Sequence, residues 1–189
     1  MTIDFDKIED KHKKIIEIAK EYMSSIDDYE HNLKHALDVV DFCKELLPKI
    51  DVKNIDIDCV IISCYWHDVG RTKCQNGHEE ISAQMLKQEL INNGYSHDFA
   101  DKCFECVRYH KYDMTPDTIE GHILKDSDKL AFLGMGRWSE CLAHNQSLDD
   151  IVNLLPRLRN ELLYFEESKT IYDKQVLEIF NLLYKRIHK

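Results

Sequence analysis

Along most of the 189-residue chain, apolar positions recur every three to four residues. That period gathers side chains onto one face of an α-helix. Only three prolines and six glycines punctuate it. The pattern predicts helices over 5–23, 30–47, 56–67, 79–93, 97–110, 117–133, 136–144, 148–165 and 169–187. Pro48 closes the second, and Gly94 reads as a C-terminal cap of the fourth. Ser147 and Asp150 form a capping pair for the eighth. The run "CVIISCYW" (59–66) has the β-branching of a short buried strand, but its surroundings are helical and no partner strand is visible, so it reads as helix. The expectation is an all-α, single-domain helical bundle over residues 1–189, with about seven to nine helices. No repeat, low-complexity tract or linker interrupts it.

Composition narrows the function classes. Hydrophobic residues make up 43% and charged residues 32%, an ordinary globular mix. There are 35 acidic against 25 basic residues, a formal net charge of −10. A phosphate backbone or an anionic bilayer would be repelled over most of such a surface, which argues against nucleic acid polymers and membranes as partners. A small basic pocket for one phosphate remains compatible. No apolar run approaches the roughly 18 residues needed to span a bilayer. The opening "MTIDFDKIEDKHKK" lacks the apolar region of a signal peptide. Seven cysteines, an odd number without framework spacing, read as reduced thiols of a cytoplasmic protein. Cys103 and Cys106 read as two thiols of one helix.

The candidate chemistry lies among the histidines and aspartates. His12, His97, His144 and His188 sit among polar residues and read as surface side chains. "EHNLKHALDVV" (30–40) places His31 and His35 four apart on one helical face that Val39 continues inward. Hydrogen-bonded histidines at the core edge would look the same. "ISCYWHDVGRTK" (62–73) is more telling, because His67 and Asp68 end a stretch that otherwise looks like core. A buried carboxylate is costly unless something positive meets it. "ILKDSDKLAFLG" (123–134) repeats the anomaly with Asp126 and Asp128. Lys125 and Lys129 are interleaved with these acids, as on an exposed face, but Asp128 runs directly into Leu130 and Ala131 and belongs on the inward edge. His35, His67, Asp68 and Asp128 together offer two imidazoles and two carboxylates from three helices. That mixed set suits Mn²⁺, Fe²⁺, Co²⁺, Ni²⁺ or Zn²⁺ better than Mg²⁺. Arg71, Lys73, Lys125 and Lys129 could neutralise phosphate charge, or simply be solvated.

The order His, His-Asp, Asp resembles the HD-domain superfamily of metal-dependent phosphohydrolases, particularly its small bacterial members. "EHNLKHALDVV" looks like the superfamily's H-x-x-x-H-x-x-x-V helix, and "YWHDVGRTK" like its LHDIGR segment. "GHEEISAQMLKQEL" is similar to HE-x-x-SA-x-x-A-x-x-x-L, "CVRYHKY" to I-x-x-H, and "KDSDKLAFLGMGR" to DADRLDAIGAIGIAR. The resemblance covers roughly residues 28–138 and leaves 148–187 as packing helices. It implies an HD-type helical bundle with metal ligands His35, His67, Asp68 and Asp128. Asp128 is preferred to Asp126 because Lys129-Leu130 matches the family's RL. It places His78 and His110 at a second metal or the substrate phosphate; helix-end capping is the other reading of those two. Ala131 replaces an Asp of the small relatives, so substrate identity transfers poorly.

The expected activity is hydrolysis of a phosphate ester or anhydride, with a small phosphorylated molecule, a nucleotide, as substrate. Asp68 would ligate the metal and orient or deprotonate the attacking water. Arg71, Lys129, His78 and His110 would contact phosphate, and His31 would be a supporting or substrate contact. The alternatives are a two-metal phosphodiesterase and a catalytically silent metal- or nucleotide-binding sensor. Residues 145–189 carry no catalytic signal beyond Arg157 and Arg159 as edge contacts. The oligomeric state stays open, a homodimer being one option.

Overall fold

The computed structural model describes residues 3–28, 30–51, 53–132, 153 and 155–187. The chain folds as α1 (Phe5–Lys11), α2 (Lys13–Ser24), α3 (Leu33–Leu46), α4 (Ile57–Trp66), a 3₁₀ turn (Val69–Thr72), α5 (His78–Asn92), α6 (His97–Arg108) and α7 (Ile119–Phe132). A π-helical turn (Leu158–Leu162) and α8 (Glu166–Ile187) follow. No strand occurs among the described residues, so the fold is all-α as expected. The expected helix 136–144, the start of 148–165 with its Ser147–Asp150 pair, Cys141, His144 and His188 lie outside the described residues.

Helix α4 is the axis of the bundle. Every residue from Cys59 to Trp66 is buried, and α2, α3, α6 and α7 pack around it. A helix enclosed on all sides needs no polar face, which is why its sequence looks as much like a core strand as a helix. Asp56 caps its start by accepting from the Cys59 N–H at 3.1 Å. At its other end the buried Trp66 indole donates to the Ile15 carbonyl of α2 at 3.1 Å. Outside this axis α3 lies along α7, and α5 along α6.

Two local details depart from or sharpen the periodic reading. The expected helix 5–23 breaks at His12, whose φ of −107° and ψ of 15° leave the helical range. The break turns His12 inward. It is 2% exposed rather than on the surface, sits 2.8 Å from the Tyr95 hydroxyl and stacks on Phe99. Charged neighbours on a helix mark its average environment; a residue at a kink escapes that average. At the end of α5, Gly94 has φ of +83°. The Gly94 N–H bonds Ile91 O at 3.0 Å and the Tyr95 N–H bonds Leu90 O at 3.1 Å, a Schellman stop that favours glycine.

Truncating Trp66 to Ala should cost about 3–5 kcal/mol, since it leaves a cavity and removes the link to Ile15. Urea denaturation of the purified variant measures it; a loss below about 1 kcal/mol would mean α4 is not the core axis.

Candidate metal centre

Helix ends deliver the key side chains. Asn32 caps α3 by accepting from the His35 N–H at 3.3 Å, which sets His35 in the first turn. His67 stands at the C-terminus of α4 and its Nδ1 donates to the Cys64 carbonyl at 2.9 Å. His110 follows α6 and its Nδ1 donates to the Val107 carbonyl at 2.7 Å. His78 opens α5 with Nδ1 on the Gln75 carbonyl at 2.8 Å. A carbonyl oxygen can only accept, so in each of these three rings Nδ1 carries the proton. In the neutral ring Nε2 is then a bare lone pair.

Those Nε2 atoms converge. His67 Nε2 lies 3.3 Å from His35 Nε2 and 3.5 Å from Asp68 Oδ2. His35 Nε2 is 3.2 Å from Asp128 Oδ1 and 3.9 Å from Asp68 Oδ2. On the other side of the same carboxylate, Asp68 Oδ1 lies 3.0 Å from His78 Nε2 and 3.6 Å from His110 Nε2. The donor atoms form two tight groups, one from His35, His67 and Asp128, the other from Asp68, His78 and His110. Asp68 faces both. All six residues are buried.

The electrostatics fit a cation. Burial drives the His67 imidazole down to about 3, against the pull of Asp68 and Asp128, so the ring is neutral. Burial would raise Asp68, but the charge around it, with the Arg71 guanidinium 2.9 Å away, holds its carboxyl well below the usual range. Asp128 behaves alike: Lys129 and His35 outweigh its burial. Neutral imidazole and ionised carboxylate are the forms that bind a metal. Asp68 Oδ1 and His78 Nε2 also remain without a hydrogen bond despite their closeness. Buried acceptors left facing one another repel unless a positive ion stands between them. The donor set therefore has the composition and burial to hold a divalent metal.

The remaining sequence candidates separate clearly. His31 lines the pocket and its Nδ1 lies 2.8 Å from Asp28 Oδ2. Arg71 Nε lies 2.9 Å from Asp68 Oδ1, and Lys129 Nζ 2.5 Å from Asp128 Oδ2. Lys73 is exposed and outside the pocket. Lys125 is turned away, its ammonium donating to the Tyr112 carbonyl at 3.3 Å and to that of Met114. Asp126 also faces elsewhere, accepting the backbone N–H groups of Tyr164 and Phe165. His122 stacks on the Tyr164 ring at 3.8 Å.

Above the cluster opens a cavity of about 450 Å³. Lys111 and Tyr112 line it just after His110, and Phe132 one turn beyond Asp128. Arg157, Leu158 and Leu162 complete it. The C-terminal region, expected only to pack, thus supplies a wall. Of these six, Arg157 stands out in the sequence as an edge contact, and the adjacency of Lys111 to His110 is the signal for another.

The sequence pattern of the HD domain matches residues 32–133, more than half of the chain. The chain belongs to the HD domain family. No curated protein matches it by sequence. Among solved structures, a predicted HD superfamily hydrolase from an uncultured Thermotogales bacterium superposes with a TM-score of 0.77 at 18% identity, covering 98% of each chain. Bacillus subtilis YpgQ, solved in complex with ADP, gives 0.68 at 17% identity over 95% of this chain and 96% of its own. A Listeria innocua protein gives 0.64 at 19% identity, over 94% and 95%. At such identities the likeness establishes the shared HD fold.

One close approach holds the cluster together. The Gly70 N–H donates to Ser82 Oγ at 2.7 Å. A Cβ at Gly70 would stand 2.2 Å from the His78 carbonyl oxygen and 2.7 Å from the Ser82 nitrogen. Backbone atoms cannot yield without moving α5, so Gly70→Ala should destabilise the fold by about 1–3 kcal/mol or more. It should also weaken Mn²⁺ binding by parting Asp68 from His78. Thermal unfolding with and without Mn²⁺ tests both; an unchanged metal-induced rise in Tm would refute the second.

Proposed function

We propose that the chain is a metal-dependent phosphohydrolase acting on a phosphate ester or anhydride, with a nucleotide as substrate. The observation that carries this reading is the convergence of buried imidazole Nε2 atoms on the carboxylates of Asp68 and Asp128. His35, His67, Asp68 and Asp128 would hold the metal. A bound divalent ion supplies Lewis acidity toward a phosphoryl oxygen and lowers the pKa of an attached water. Manganese, iron, cobalt, nickel or zinc suits this nitrogen and oxygen set better than magnesium.

The protein groups have distinct parts to play. Asp68 would ligate the metal and orient or deprotonate the attacking water, a role that requires it to lie within hydrogen-bond reach of that water. The Arg71 guanidinium and Lys129 ammonium would meet the scissile phosphate's oxygens. His31 lies at the cavity edge, a supporting or substrate contact. Phe132, Leu158 and Leu162 offer apolar surface of the kind a nucleobase or sugar buries. The ADP held by the structurally similar YpgQ supports the nucleotide assignment. We take residues 1–189 as one HD-type domain, because the buried residues from Ile15 to Ile179 form one continuous core. No described helix is long and apolar enough to cross a membrane. The six described cysteines are free thiols, which supports a reducing, cytoplasmic setting.

A second reading rests on the group formed by Asp68, His78 and His110. These three could hold a second ion beside the one at His35, His67 and Asp128, and a two-metal phosphodiesterase would use such a pair to stabilise the attacking and leaving oxygens. Elemental analysis separates the two: about one ion per chain favours phosphate contact by His78 and His110, and about two favours the two-metal reading.

His67→Ala should reduce Mn²⁺-dependent hydrolysis to background while the far-ultraviolet circular dichroism stays helical. The assay spans nucleotides and generic phosphate esters with Mn²⁺, Co²⁺, Ni²⁺ and Mg²⁺. Turnover by the variant at the wild-type rate would sink the assignment.

A further inference from the structure

The outer wall of the pocket comes from far along the chain, and one buried carboxylate fastens it. Asp126 is wholly buried. It accepts the Tyr164 N–H at 2.9 and 3.1 Å on its two oxygens and the Phe165 N–H at 3.0 Å. Those two residues follow, after Leu163, the π-helical turn that presents Leu158 and Leu162, with Arg157 at its start. Asp126 and Asp128 are two residues apart on α7, about 200° around the helix axis. One carboxylate thus faces the imidazole cluster while the other grips the C-terminal chain.

Charge gives a second, independent observation. The chain carries a net charge of −10, yet among the described residues four cationic side chains line this cavity against two carboxylates. Arg71 and Lys129 face those carboxylates. Lys111 and Arg157 are surplus. Lys111 stands 3.8 Å from both Glu79 and Asp113, beyond hydrogen-bond reach. Arg157 meets Glu161 at 2.9 Å, but both side chains are more than half exposed. An exposed pair of that kind is weak and readily exchanged for a stronger anion.

We propose that Arg157, with Lys111, binds a second phosphoryl group beyond the scissile one, and that Asp126 is the positioning residue that holds the Arg157-bearing wall over the pocket. The substrate class is then a phosphate ester carrying a phosphoanhydride, such as a nucleoside di- or triphosphate, rather than a monophosphate. The inference rests on the phosphohydrolase reading for where the scissile phosphate sits.

Calorimetric titration of the full chain loaded with Mn²⁺, using AMP and the α,β-methylene analogue of ADP, tests it. Wild type should prefer the two-phosphoryl ligand by about tenfold or more, the scale of one charge-assisted hydrogen bond. Arg157→Ala, a surface change that leaves the core intact, should erase that preference. Asp126→Asn should shrink it while Mn²⁺ affinity is kept, and the double variant should lose no more than Arg157→Ala alone, because both act through one wall. Equal affinity of wild type for the two ligands, or binding of neither, would overturn the proposal. So would a preference that survives Arg157→Ala, or independent addition of the two effects. Loss of Mn²⁺ binding in Asp126→Asn would assign that residue to the metal cluster instead. A persistent, Arg157-dependent preference in a protein that hydrolyses no phosphate ester would retire the hydrolase reading and leave this one standing.

Discussion

Asp68 is a carboxylate with almost no access to water, and its two oxygens face imidazole nitrogens on opposite sides. Three of those rings have Nδ1 committed to a carbonyl, so what they turn toward Asp68 is, in the neutral ring, a lone pair. A buried anion surrounded by acceptors is an expensive arrangement. The Arg71 guanidinium relieves one oxygen; a divalent cation would relieve the rest. Binding of such an ion to the folded chain alone would add to its stability, and the fold around the cluster is shaped to keep it intact.

That shaping is done mostly by helix ends. The last carbonyls of a helix have no partner within it. His67 and His110 satisfy such carbonyls with Nδ1, and the same bonds aim Nε2 into the centre. Helix-end capping and a site role, which look like rival explanations for His110 in the sequence, are the two nitrogens of one ring. Gly70 does the equivalent for Asp68 and Arg71. It owes its place to close contact with the start of α5, which brings the 3₁₀ turn against His78.

The pocket divides into two parts with different origins. The imidazole and carboxylate cluster is built within residues 35–128, inside the HD match at 32–133. The opposite wall comes from Arg157, Leu158 and Leu162, anchored to α7 through Asp126. The two parts of the pocket can therefore vary separately in this fold. That separation matches the sequence pattern, in which the HD motifs are distinct while the residues after Asp128 depart from those of the small relatives.

Much of the molecule was legible in one dimension. The 3.6-residue period located α3 to α7 within a few residues, because amphipathic burial is a local pattern repeated over several turns. His35, His67, Asp68 and Asp128 stood out because polar residues in apolar stretches need a partner, and that requirement holds whatever the fold. Three features were decided only in three dimensions. His12 is buried because the helix kinks there, and a kink is set by packing on α4 and α6 rather than by neighbours in sequence. Asp126 and Asp128 look alike in sequence, yet the turn of α7 sends one to the C-terminal backbone and the other to the cluster. Arg157 reaches the pocket because a buried carboxylate on α7 accepts the N–H groups of Tyr164 and Phe165, more than thirty residues away. Periodicity records which face of a helix is buried; which distant segment covers that face is fixed by hydrogen bonds and packing that no local pattern encodes.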